Sequence, residues 1–199
     1  SEYDAADYLI QSHSVSYFLS LFDFQKRFDP PAACKWKLTA FGNPLVPAGE
    51  KRGGVSSSGG DDLRFGEISS TEEEILALQK FFPSDAVQIF LNSQCNERNF
   101  EKVAPDSRFI HIATHFYCNA NKPLDSAFLF SSNDHEAPFY DSRRISRLRL
   151  HSELVVLSAC ESGSGGMSAG WIELVGMTRA WLLAGAPAVM VAQWKLDAR

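Results

Sequence analysis

Apolar residues near the start of the chain recur at helical spacing: Leu9, Val15, Phe18, Leu19 and Phe22 predict a helix within residues 8–24. Residues 37–41 read as a short strand, ended by the turn residues Gly42-Asn43-Pro44. Residues 49–62 hold five glycines, three serines and no large apolar side chain. Such a stretch cannot offset its ordering entropy and is expected to be a mobile loop. Ser70-Thr71 ahead of Glu72-Glu73-Glu74 predicts a capped helix start, with acids at the positive end of the dipole. That helix runs through Ile75, Leu76 and Leu78 to about Phe82, where Pro83 stops it. Strands follow at 87–91, 108–114 and 127–130, with a short helix at 96–103 that turns Phe100 inward. Residues 153–160 form a nearly continuous apolar run, the mark of a strand covered on both faces.

Beyond that run, Gly163, Gly165, Gly166 and Gly170 make a loop, and a helix over 171–183 presents residues 171, 174, 175, 178 and 182 as its apolar face. Gly185 stands where a helix C-cap glycine belongs, Pro187 prevents continuation, and 189–194 is the next buried strand. Strand, loop, helix, turn and strand make a βαβ unit, and the pattern recurs upstream. The expected fold is α/β, three-layered, with a mostly parallel central sheet and helices on both faces.

Composition narrows the function classes. The 199 residues carry 45% apolar and 22% charged side chains and a net charge of −5, which excludes general disorder. Scattered basic residues in an acidic chain give no electrostatic footprint for nucleic acid, so direct nucleic-acid binding is not expected. The longest apolar stretch, 174–194, contains Arg179 and is broken by Gly185-Ala186-Pro187, so a buried helix, turn and strand explain it better than a membrane span. Cys34, Cys95, Cys118 and Cys160 follow no disulfide or zinc-ribbon spacing, and no N-glycosylation acceptor occurs. The expectation is a soluble, cytoplasmic protein. The chain opens Ser1-Glu2-Tyr3 and stops at Arg199 straight after an apolar run; it reads as a single domain over 1–199, cut from something longer.

In open α/β sheets the reactive crevice lies outside the carboxyl ends of the strands. His115 closes the strand at 108–114 and Cys160 closes the one at 153–160, 45 residues later. Neighbouring parallel strands would bring both side chains to one rim. Small residues after the cysteine (Ser162, Gly163, Ser164) would leave it open, its own N–H could face an oxyanion, and His115 could take the thiol proton. Spacing alone leaves two readings: a nucleophile with its base, or a buried free cysteine with a satisfied histidine.

Further motifs bear on that choice. His111-Ile-Ala-Thr-His115, Pro123-Leu-Asp-Ser-Ala-Phe-Leu129 and Leu154-Val-Val-Leu-Ser-Ala-Cys-Glu-Ser-Gly163 occur in order, followed by Gly185-Ala-Pro-Ala-Val189 and Gln193-Trp194. Together they resemble the CHAT domain, a caspase-like cysteine peptidase of the caspase/separase/gingipain clan that is often fused to TPR repeats. The resemblance implies a caspase-like fold, Cys160 as nucleophile and His115 as base. The oxyanion hole would come from the backbone N–H groups of Cys160 and of the residue after the histidine. Family members commonly carry glycine there; this chain has Phe116. The implied reaction needs no cofactor and no metal, acts on a protein or peptide, and is switched on within a larger defence or signalling assembly. A regulatory partner, or a TPR-containing remainder of the chain, would supply the switch. The other reading, motivated by Phe116 and by the early end, is a catalytically silent caspase-like scaffold.

Acidic residues near the proposed rim are Asp125, Asp141, Glu161 and Asp197. Asp125, Glu161 and Asp197 are the candidate substrate-binding carboxylates, able to meet a basic side chain, although a solvated role is the ordinary one. His111, His115 and Cys118 have a ligand-like spacing, but a strand does not converge them as a helix would. His111 is expected in the core or supporting the site. Gly166-Met-Ser-Ala-Gly170 matches a nucleophile-elbow pattern without the strand that must precede it. Arg143, Arg144, Arg147 and Arg149 alternate with Ile145, Leu148 and Leu150, an amphipathic surface segment first and a docking face second.

Overall fold

The computed structural model describes residues 33–46, 68–117, 122–132, 139–158 and 170–191. The predicted helix at 8–24, the loop at 49–62 and the glycine-rich segment at 163–166 lie outside them. Five strands form one parallel sheet: β1 (Trp36–Gly42), β2 (Val87–Leu91), β3 (Ser107–Ala113), β7 (Leu154–Leu157) and β8 (Val189–Val191), in the order β2-β1-β3-β7-β8. A separate antiparallel sheet orders β4 (Phe116–Tyr117), β5 (Ala127–Leu129) and β6 (Phe139–Asp141). Four α-helices are described: α1 (Ser70–Gln79), α2 (Glu97–Val103), α3 (Ser142–Ile145) and α4 (Gly170–Ala184).

Alternation along the strands divides the core. Phe41, Ile110, Ile112, Val155 and Leu157 face one way and pack against Phe100 and Val103 of α2 and Met177, Ala180 and Trp181 of α4. Ala40 and Ala113 face the other way and meet Ile75 of α1. The α/β expectation therefore holds, with helices on both faces. The small sheet repeats the division: Phe128 and Tyr140 enter the main core, while Tyr117, Ala127, Leu129 and Phe139 form a second cluster with Val46.

Several local expectations change. The buried stripe of α4 runs through Met177, Ala180, Trp181 and Ala184, with Leu183 exposed, so it is rotated from a stripe through 178 and 182. Trp181, fully buried against Phe100 and Phe128, sets that rotation. α1 ends at Gln79 rather than near Phe82; single turns carry on through Phe81, which is 81% exposed and has no core to keep it helical. Its N-cap Ser69 makes no side-chain cap bond. The neighbouring hydroxyl, Thr71 Oγ1, instead donates to the Ile68 carbonyl at 2.8 Å and accepts from the Asn43 N–H at 2.9 Å, anchoring the helix to the end of β1. The end of α4 agrees with expectation: Gly185 N–H bonds the Leu182 carbonyl and Ala186 N–H the Trp181 carbonyl, a paired glycine termination.

The basic run takes its surface reading. Arg143 pairs with Asp125 and Asp141, Arg144 pairs with Glu97 and Glu101 and covers the Tyr140 ring, and Ile145 and Leu150 are buried.

Candidate active site

Strand order fixes where a crevice can open. From β1 the chain moves to β2 on one side, and from β3 to β7 on the other. The carboxyl ends of β1 and β3 thus flank a topological switch point, where open α/β sheets take ligands. At that rim β1 is followed by Asn43 and β2 by Asn92, both left-handed, with φ of 45° and 52°. They are tied by Asn92 N–H to the Asn43 carbonyl and by Asn43 Nδ2 to Asn92 Oδ1, each at 3.1 Å. Asparagine tolerates this backbone better than other side chains do. Gly42-Asn43-Pro44 is the sequence sign of the first of these turns; Asn92-Ser93 carries no comparable sign.

β3 delivers His115 to the same rim. The residue is 7% exposed, and its carbonyl accepts from the Leu129 N–H at 3.0 Å, joining the main sheet to the small one. Register relates it to the next strand. Ile112 pairs with Leu157, and the Ser158 N–H donates to the Ile112 carbonyl at 2.9 Å. His115 stands three residues beyond Ile112, and Cys160 stands three beyond Leu157 in the sequence. Cys160 itself lies outside the described residues, as do Cys118, Glu161, Asp197 and residues 166–169 of the elbow-like match.

Phe116 pairs with Phe128 across β4 and β5. Because Leu129 N–H bonds the His115 carbonyl, the Phe116–Phe128 position is the non-hydrogen-bonded one of the ladder. The Phe116 N–H is therefore directed away from β5. Its ring rests on the Phe128 ring, centroids 5.2 Å apart, beside the main core.

Beneath the rim a polar cluster joins three elements. His111 of β3 is buried, its Nε2 2.9 Å from Oε1 of Glu74 on α1, and Glu74 Oε2 accepts from Ser158 Oγ at 3.1 Å. Desolvation, the largest influence, pushes the Glu74 carboxyl up; the contacts with Ser158 and His111 together outweigh it and hold the group below the usual carboxylate range. His111, expected in the core or supporting the site, is buried and lies against Glu74. Glu74 and Ser158 have no motif signature in the sequence, where Glu72-Glu73-Glu74 looks like a run of dipole-facing acids. The helical spacing of Thr71 and Glu74 was the signal that could have found them.

Asp125 lines a groove of about 460 Å³ with Lys122, Leu124 and Arg143, its carboxylate paired to Arg143. Among the described residues, no group of three or more His, Cys, Asp or Glu side chains is arranged to hold a metal, and no helix is long and apolar enough to cross a membrane.

A five-stranded parallel sheet with helices on both faces, and a buried histidine just beyond β3 at its switch point, is an α/β arrangement consistent with a caspase-like fold. The chain belongs to the CHAT domain family, whose model matches residues 2–199. The family is caspase-like and peptidase-related. A search of curated proteins finds none that matches the chain.

Proposed function

We propose that this domain is a cysteine endopeptidase in which Cys160 is the nucleophile and His115 the general base. The observation that carries the reading is the Ile112–Leu157 rung between β3 and β7: in the sequence, His115 and Cys160 each follow one of its two partners by three residues. His115 takes the thiol proton, and the thiolate sulfur bonds to the scissile carbonyl carbon. The resulting oxyanion accepts from the N–H groups of Phe116 and Cys160. The outward direction of the Phe116 N–H, with its ring withdrawn onto Phe128, supports that role without a glycine. Collapse breaks the C–N bond, and the imidazolium gives its proton to the leaving amine. His115 then deprotonates a water, which cleaves the thioester and restores the thiol.

The substrate in this reading is a protein or peptide, and Glu161 and Asp197 remain the proposed contacts for a basic side chain. Asp125 is the weakest of the three, since Arg143 already neutralises it. Cys34 and Cys95, both as thiols rather than disulfides, suit a reducing, cytoplasmic setting. Activation belongs to a partner or to a TPR-containing part of the parent chain.

The test is peptide-resolved labelling with iodoacetamide. Cys160 should react far faster than Cys34 and Cys95, and the advantage should vanish in His115→Ala. Cys160→Ala should abolish cleavage of the cognate protein by the complete parent with its activator. Equal labelling of the three cysteines, together with intact cleavage in Cys160→Ala, would leave the silent-scaffold reading.

A further inference from the structure

Three neighbouring side chains on one face of α1 reach the carboxyl ends of three successive strands. Thr71 Oγ1 accepts from the Asn43 N–H just beyond β1. Ile75 packs on Ala40 of β1 and Ala113 of β3, and a Cβ on Gly42 would collide with it. Glu74 divides its two oxygens between His111 of β3 and Ser158 just beyond β7. Residues three and four apart share a helix face, so α1 lies as a splint across β1, β3 and β7. Docking alone would need no carboxylate there. An apolar residue would pack against the sheet without the desolvation that Glu74 undergoes.

We infer that Glu74 is a positioning residue for the His115–Cys160 pair: holding His111 and Ser158 at once, it fixes the ends of β3 and β7 against each other. His115 follows His111 by four residues and Cys160 follows Ser158 by two, so a slip between the strand ends is passed to both groups. Nucleophile and base tolerate little such slip before proton transfer suffers. Among the described residues, His111 is the ionisable group that meets Glu74. The inference rests on the dyad reading above.

The test uses the whole chain and follows Cys160 alkylation across a pH series. Glu74→Ala should cut the His115-dependent acceleration roughly ten-fold and raise the pH midpoint of the profile, with Cys34 labelling unchanged. Glu74→Gln, which keeps the side-chain length and two polar atoms, should recover most of the rate. In a His115→Ala background Glu74→Ala should change nothing further. Should Glu74→Ala fail to fold, Ser158→Ala carries the test, with the same expected loss and shift in a smaller measure. A lower melting temperature with acceleration and midpoint both at wild-type values reduces Glu74 to a docking residue and overturns the inference. So does an effect of full size in the His115→Ala background. A wild-type chain with no His115-dependent acceleration removes the dyad itself, and this result is distinct from a wild-type acceleration that Glu74→Ala leaves intact.

Discussion

Gly185 has φ of 115°, and a Cβ placed there would lie 2.5 Å from the Leu150 carbonyl oxygen. Both the backbone and the contact exclude a side chain, so Gly185→Ala should destabilise the domain by about 2 kcal/mol in urea unfolding. Glu74 makes a prediction in pH. Its folded-state pKa lies below the ordinary 4.5, so its contribution is present above that value and is lost as pH falls through the folded value. The stability gap between wild type and Glu74→Ala, measured by urea unfolding at several pH values, should be about 1 kcal/mol near neutrality and shrink below pH 4.5; the modest size allows for a side chain that is 38% exposed. A gap that widens on acidification would mean that the carboxylate is a liability to the fold. Thiol reactivity is set at the same scale. Burial, reinforced by the nearby Asp106 and Glu153, pushes the Cys34 thiol up, and burial does the same to Cys95. Neither should compete with an activated Cys160 for iodoacetamide near neutral pH, which peptide mapping checks.

At the scale of elements, two helix starts that look alike in sequence should behave differently. Asn96 accepts from the Asn99 N–H at 2.9 Å and caps α2, whereas Ser69 caps nothing. Asn96→Ala should cost about 1 kcal/mol and Ser69→Ala less than about 0.5 kcal/mol, read from denaturant midpoints. The difference marks what periodicity conveys. Apolar runs announced β3 and α4 to within a residue at each end and the start of β7 likewise, whereas β7 stops at Leu157, three residues short of 160; Gly185 announced the end of α4. The antiparallel sheet was only partly legible, because β4 and β6 have two and three residues and no strand period can be read from so few. Ile145 and Arg144 conceal the short α3 inside an alternating run for the same reason. Around the candidate site, the place of His115 just beyond β3 was legible from the apolar run that ends there. Glu74 was not, because which face of a helix turns inward is decided by the tertiary docking of Thr71 and Ile75.

For the molecule as a whole, the question is whether the small sheet is an independent unit. Phe100 of α2 packs against Phe41 of β1, Phe130 beyond β5, Tyr140 of β6 and Trp181 of α4, with centroids between 5.2 and 6.0 Å apart. One ring thus joins both sheets and two helices, and the His115 carbonyl bond to Leu129 links the sheets again at the rim. A three-stranded sheet with so few residues per strand has too little buried area to persist once that core opens. Phe100→Ala should therefore remove about 3–5 kcal/mol from a single cooperative transition. Backbone circular dichroism and tryptophan fluorescence, which samples the buried Trp181, should give coincident urea midpoints in wild type and variant alike. Separate midpoints in the variant would show that the antiparallel sheet unfolds on its own. The position of Phe116, at the start of that sheet, would then be decoupled from His115, at the end of the parallel one.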